Sequence, residues 1–219
     1  MPLLVVNQVN VSFGPIAKVI NASFEVAEGE SVLITGKSGA GKTSLMLAIL
    51  GVVPIQSGDI YYRRRALVGL MPHEIIRLGI GFCSEKRNLF SRMSVKENLE
   101  LGGYTQRDRW QLRRDIAEVC ELFPSLGAQM QSKVTELAGE EQQMLAIARA
   151  FVSRPRLLLL DEPLRCLSHS RVHQLVEVIA AFTRRGISNV IVEQNVSPVF
   201  SQSRGWVMEQ GSLRQYEAV

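Results

Sequence analysis

Apolar and polar positions alternate near the start of the chain and give way to helical spacing in its middle. Leu3 to Phe13 and Val19 to Val26, rich in Val and Phe, predict two strands. Glu28-Gly29-Glu30 predicts a turn into a short apolar strand, Ser31 to Thr35. A glycine-rich loop follows, Gly36 to Gly41, and Lys42 to Leu50 reads as a helix stopped by Gly51 and Pro54. Ser57-Gly58-Asp59 reads as a turn before a strand at Ile60-Tyr61-Tyr62, and Ile80 to Cys83 as another strand.

The middle third is helical. Ser94 and Glu97 form a capping box that opens a helix through Leu101. Trp110, Ile116, Val119 and Phe123 recur at helical spacing within Arg107 to Phe123, and Pro124 is expected to end that helix. Glu141 to Val152 carries Met144, Leu145, Ala148 and Phe151 on one face. Strands then return. Leu157 to Leu160 is a continuous apolar run, as a strand covered on both faces requires. Ser168 to Arg185 predicts an amphipathic helix with Gly186 as its C-cap, and Val190-Ile191-Val192 a buried strand. Trp206-Val207-Met208 and Leu213 flank a hairpin turn at Gly211. No internal repeat or low-complexity segment interrupts the pattern.

This pattern predicts an α/β chain. Residues 1–85 and 154–219 form a core lobe, and residues 86–153 an inserted helical lobe, within one domain of 219 residues. With 46% hydrophobic and 21% charged residues, the composition is that of an ordinary globular protein. A net charge of +4 is too mild to imply nucleic-acid binding, and Arg63-Arg64-Arg65 reads as a solvated turn. The longest apolar run, Leu45 to Val53, falls far short of the ~20 residues of a membrane span. The opening Met1-Pro2-Leu3-Leu4 has no basic region of the kind a secretory signal carries. Cys83, Cys120 and Cys166 lack C-x-x-C spacing and read as reduced thiols of a cytosolic protein. His169 and His173 stand at i, i+4 with no third ligand nearby in sequence, so a surface pair is expected rather than a metal site.

Two segments carry chemistry. Gly36-Lys37-Ser38-Gly39-Ala40-Gly41-Lys42-Thr43, with Ser44 after it, matches G-x-x-x-x-G-K-[ST] between a strand and a helix. Glycines at those places let successive N–H groups turn inward and cradle phosphate oxygens, and the helix that begins there directs its positive end at them. Lys42 is then placed for the β- and γ-phosphates of ATP, and the Thr43 hydroxyl for Mg²⁺. About 120 residues on, Asp161-Glu162 closes the apolar run Leu157 to Leu160. Asp161 at a buried strand end suits Mg²⁺ held through water, and Glu162 suits a general base that polarises the attacking water.

Between these motifs lies Leu137-Ala138-Gly139-Glu140-Glu141-Gln142-Gln143, which resembles the L-S-G-G-E-Q-Q signature helix of ATP-binding cassette (ABC) ATPases. The resemblance covers nearly the whole chain. The segments Pro72 to Gly81, Glu85 to Leu99, Leu122-Phe123-Pro124 and Val192-Glu193-Gln194-Asn195 are similar to the ATPases of branched-chain amino-acid importers. The resemblance implies a P-loop NTPase (RecA-like) core sheet, an N-terminal antiparallel β subdomain and an inserted helical subdomain. It implies that Phe13 stacks on adenine, that Glu85 lies at the lobe junction near the metal, and that Gln194 lies near the γ-phosphate. It also implies a head-to-tail pair of ATPases. Leu137, Ala138, Gly139, Glu140 and Glu141 then face the partner's nucleotide, and the pair drives membrane permease subunits served by a solute-binding protein. Such a subunit is expected on the cytoplasmic face of the membrane, with no nucleic-acid partner.

The chain departs from the family pattern at several positions. Glu85 and Gln194 stand where the wider family has Gln and His, although the branched-chain subfamily carries similar residues. Gln194 can hydrogen-bond but cannot become a cation. Ala138 replaces the signature Ser and Glu140 its second Gly. The lost hydroxyl bond is worth ~1.5–3 kcal/mol. Glu140, if it faces a γ-phosphate at ~5 Å, is repelled by about 3 kcal/mol at an effective dielectric near 20; the sequence leaves its direction open. Pro163-Leu164-Arg165-Cys166-Leu167-Ser168 lacks the small residues and acid expected where two subunits touch. These changes point to asymmetry, with this chain working beside a different, better-equipped ATPase. A regulatory subunit with little hydrolysis stays open as an alternative. A cassette acting in DNA repair or on ribosomes is disfavoured by the lack of long insertions or a tandem cassette, and a small-molecule kinase by the signature-like helix. The sequence is silent on the transported solute: branched-chain amino acids, other amino acids, amides or urea.

Overall fold

The computed structural model describes residues 2–195, 200 and 203–216. Strands β1 (Pro2–Phe13) and β2 (Ile16–Ala27) pair antiparallel, and β4 (Ser57–Tyr62) and β5 (Arg65–Ala66) extend them into a four-stranded sheet of order β2-β1-β4-β5. A second sheet of six strands has the order β10-β9-β3-β8-β7-β6. It contains β3 (Ser31–Thr35), β6 (Ile80–Cys83), β7 (Leu157–Asp161), β8 (Ser188–Glu193), β9 (Arg204–Glu209) and β10 (Ser212–Tyr216). The run β9-β3-β8-β7-β6 is parallel, and β10 closes the edge antiparallel to β9.

Alternation along the central strands divides the core in two. Val32, Ile34, Leu157, Leu159, Val190 and Val192 face the antiparallel sheet and helix α1 (Lys42–Ile49). Leu33, Leu158, Leu160 and Ile191 face the helical lobe and α7 (His169–Arg184). A strand covered on both faces gains nothing from polar positions, which is why β7 reads as an unbroken leucine run. The helical lobe consists of α3 (Val95–Gly102), α4 (Arg109–Leu122), α5 (Pro124–Gly127), a 3₁₀ turn (Val134–Glu136) and α6 (Gly139–Val152).

Several boundaries differ from those read in the sequence. Helix α2 (Pro72–Arg77) was not anticipated; Pro72 stands in its first turn and Glu74 returns its carboxylate to the Met71 N–H at 2.8 Å. Pro124 does not only terminate α4 but opens α5, because a missing N–H costs nothing in a first turn. Helix α6 begins at Gly139, two residues before the expected start, because Glu141 reaches back to the Ala138 N–H at 2.9 Å. Strand β4 begins at Ser57, inside the expected turn. Arg63 and Arg64 do turn the chain, both at positive φ, while Arg65 enters β5.

Candidate functional site

The loop 36–41 leaves β3 at the carboxyl edge of the parallel sheet. Its glycines have two different duties. At Gly41, with φ 113°, a Cβ would run into the Lys18 carbonyl of β2; at Gly36 it would meet the Met208 carbonyl of β9. Those two glycines let neighbouring strands press on the loop. At Gly39, with φ 82°, nothing lies within 4 Å, so this glycine serves the bend and the open space above it. The loop is anchored by Gly36 N–H to the Glu193 carbonyl at 3.2 Å and by Gly211 N–H to the Ala40 carbonyl at 2.9 Å. Lys37, Ser38 and Gly39 are exposed, Ser44 is half-buried, and Phe13 is 48% exposed at the end of β1.

Lys42 is buried at the start of α1, where its ammonium donates to the carbonyls of Gly36 (2.5 Å) and Lys37 (3.2 Å). Burial pulls this amine below the ordinary lysine range, against the attraction of Glu162, Asp161 and Glu193. Its charge is therefore poorly solvated, and a phosphate offers it better partners than two carbonyls. Thr43 donates its hydroxyl to Asp161 Oδ1 at 3.3 Å, while the buried Asp161 Oδ2 has no hydrogen-bond partner. Burial raises the Asp161 carboxyl above its usual range. An orphaned carboxylate oxygen beside a hydroxyl fits Mg²⁺, a hard cation that binds few protein oxygens and keeps its other positions for water and phosphate.

Glu162 follows β7 with φ 49°, a left-handed conformation that costs a non-glycine residue energy and sets the direction of its side chain. Gln194 Nε2 donates to both of its carboxylate oxygens, at 3.1 and 2.9 Å, and Lys42 Nζ lies 3.9 Å away. The resemblance implied only that Gln194 lies near the γ-phosphate; the structure brings it onto Glu162 from the end of the adjacent strand. Two further residues were missed in the sequence. Glu193, at the end of β8, is buried and accepts the Leu164 N–H at 2.9 Å, and burial pushes its carboxyl up to about 7. Arg165 pairs with Glu85 and lies 3.6 Å from Glu162. Glu85, expected near a metal, thus has an arginine as its neighbour.

The signature segment lies at the front of α6. Leu137 is buried, and Ala138 is the N-cap, a position where a Ser would have offered a hydroxyl. Gly139 is exposed. The Glu140 carboxylate turns to α7, accepting the Ser168 N–H and lying 3.9 Å from Arg171, and the Ser168 bond holds it below the usual carboxylate range. The repulsion expected from an outward-facing Glu140 therefore does not describe this conformation. Glu141 is spent on the Ala138 N–H and on Gln129. His169 and His173 meet edge to face on α7, as the surface pair that was expected.

Comparison with known proteins agrees with this geometry. The ABC transporter family pattern matches residues 19–165. The chain is 38% identical over 217 residues to the high-affinity branched-chain amino acid transport ATP-binding protein BraG of Pseudomonas aeruginosa, covering 98% of this chain and 92% of that protein. It is 28% identical over 190 residues to the probable branched-chain amino acid transport ATP-binding protein LivF of Archaeoglobus fulgidus, covering 86% and 80%. It is 33% identical over 216 residues to the Fe(3+) ions import ATP-binding protein FbpC of Streptomyces avermitilis, covering 97% of this chain and 61% of that protein. In fold it is similar to a dimeric bacterial ABC transporter cassette, with TM-score 0.90, 23% identity and 99% coverage of both chains. The chain belongs to the ABC transporter family, as one of its ATP-binding, ATP-hydrolysing subunits.

Proposed function

We propose that this chain is the ATP-binding subunit of an importer for branched-chain amino acids or a related small solute, another amino acid, an amide or urea. The convergence of Lys42, Asp161, Glu162 and Gln194 at one edge of the sheet carries the ATPase part of this reading. The 38% identity to BraG across nearly the whole of both chains supports the substrate class.

In this reading the N–H groups of the loop 36–41 hold the phosphates and Phe13 stacks on the base. Lys42 leaves its carbonyl partners for the β- and γ-phosphates. Thr43 and Asp161 are the residues that would hold Mg²⁺, which when bound neutralises phosphate charge. Glu162, oriented by Gln194, takes a proton from the attacking water as its oxygen bonds to the γ-phosphorus and the bond to the β,γ-bridging oxygen breaks, so that ADP and phosphate leave. A neutral Gln194 orients the base but contributes no charge of its own. Leu137 to Glu141 face the nucleotide of a second ATPase subunit, and the pair works on permease subunits supplied by a solute-binding protein, at the cytoplasmic face of the membrane. ATP that bridges both subunits favours the closed pair by its differential affinity.

Ala138 supports a division of labour. With no hydroxyl at this N-cap, the site that borrows this chain's signature is the weaker one, and the partner is expected to be a different chain. The test is ATP turnover by the purified chain, alone and with its permease and partner ATPase, beside Glu162→Gln. Turnover that appears in the complex and falls by ~10²-fold or more in the variant supports a hydrolytic site with Glu162 as base. Tight ATP binding with no Glu162-dependent turnover identifies a regulatory subunit instead.

A further inference from the structure

The stretch Pro163–Ser168 departs from the family pattern and carries Arg165, which lies outside both phosphate motifs. Its Nη1 pairs with Glu85 Oε1 and lies 3.6 Å from Glu162 Oε2. Glu85 stands where the chain leaves β6 for the helical lobe, and Glu162 where β7 ends. One half-exposed guanidinium therefore joins the lobe junction to the residue placed to activate water.

The arm that carries it is well anchored. The Leu164 N–H donates to Glu193 Oε1 at 2.9 Å, the Arg165 N–H to the Glu162 carbonyl at 3.2 Å, and Gln143 Nε2 of α6 to the Pro163 carbonyl at 3.3 Å. Arg165 thus approaches Glu162 from a backbone tied to β8, to β7 and to the signature helix. The target also needs support. Glu162 sits in a left-handed conformation, and around it lie two more buried carboxylates, Asp161 and Glu193. Two cations face it among the described ion pairs, Lys42 at 3.9 Å and Arg165 at 3.6 Å. Lys42 is also the group placed for the phosphates. When it is engaged there, Arg165 is the remaining side-chain cation on the Glu162 carboxylate, since Gln194 is neutral.

We propose that Arg165 is a positioning residue for hydrolysis, bridging Glu85 and Glu162 so that the Glu162 carboxylate stays aimed at the attacking water. This rests on the reading of Glu162 as base given above. Both contacts run through Nη1, one nitrogen with two N–H donors, so a lysine ammonium keeps the cation and part of the bridge while losing the planar geometry that fixes it. Because Glu85 stands at the junction with the helical lobe, the bridge also makes the placement of the base sensitive to where that lobe stands.

The test is steady-state ATP hydrolysis by the assembled transporter, comparing the wild type with Arg165→Ala, Arg165→Lys, Glu85→Gln, Glu162→Gln and the double variant Arg165→Ala/Glu85→Gln. Binding of a fluorescent ATP analogue serves as the folding control. Arg165→Ala is expected to lower the Glu162-dependent kcat about tenfold or more, with KM for ATP changed less than about twofold. Arg165→Lys should recover part of that loss. Glu85→Gln should cost activity in the wild-type background and little once Arg165 is gone, because the two act through one contact. An Arg165→Ala kcat at or above wild type, a loss confined to KM, no recovery with lysine, or additive single losses each overturn the proposal. A wild-type complex lacking Glu162-dependent turnover sinks the underlying reading and this inference with it. A Glu162→Gln variant that is inactive beside a normal Arg165→Ala sinks this inference alone.

Discussion

Glu193 makes stability depend on pH in a direction opposite to that of most carboxylates. The residue is only 9% exposed, and its carboxyl lies near Glu162 and Lys42. Burial is the largest influence on it and raises its pKa from 4.5 to about 7, although the Leu164 N–H bond works the other way. The folded chain therefore holds this proton more tightly than the unfolded chain does. Between pH 4.5 and 7 the unfolded state binds fewer protons, so this residue's contribution falls as pH rises and is lowest above pH 7. The rise corresponds to about 3 kcal/mol at 1.36 kcal/mol per pH unit. Glu193→Gln removes the charge and keeps a carbonyl oxygen for the Leu164 N–H. Urea denaturation of the purified chain at pH 5 and pH 8 measures the effect. The variant should be more stable than wild type by about 2–3 kcal/mol at pH 8, and close to wild type at pH 5. A difference that does not change with pH, or a variant destabilised at pH 8, would refute the reasoning, because the charge of Glu193 would then carry no folding cost.

Other substitutions separate duties that the sequence motif merges. Gly41→Ala pushes a Cβ into the Lys18 carbonyl at φ 113° and should lower thermal stability markedly, whereas Gly39→Ala meets no atom within 4 Å, bears only the backbone strain of φ 82°, and should lose less stability while binding a fluorescent ATP analogue less tightly. Ala138→Ser restores a hydroxyl at the N-cap of α6 and should raise ATP turnover of the assembled transporter; an unchanged rate counts against the impaired-signature reading. Leu145, on the inner face of the signature helix α6, is fully buried, and Leu145→Ala should cost about 2–5 kcal/mol in urea denaturation.

Much of this architecture is local in origin and so was legible from residue order. Strand β7 shows itself because a strand covered on both faces can be apolar at successive positions, here Leu157 to Leu160, and helix α3 because Ser94 and Glu97 answer each other within one turn. The phosphate loop shows itself because its glycines, Lys42 and Thr43 have to stand at fixed spacing to work. Asp161 and Glu162 were legible as the polar end of an apolar run. What the sequence by itself determined, then, is most of the strands and the longer helices, and a glycine-rich loop with the spacing that phosphate binding requires.

The tertiary structure decided everything that depends on contact between distant segments. It turned Glu140 onto Ser168 and Arg171 rather than outward, a direction no periodicity encodes. It gave Glu85 an arginine partner 80 positions along the chain, and it buried Glu193 deeply enough to change its proton affinity. It also assigned Gly36 and Gly41 to packing against β9 and β2, where the motif had placed every glycine in the service of phosphate. The physical reason is common to these cases. Burial and ion pairing are properties of the space around a side chain, and that space is filled by residues the local sequence does not contain.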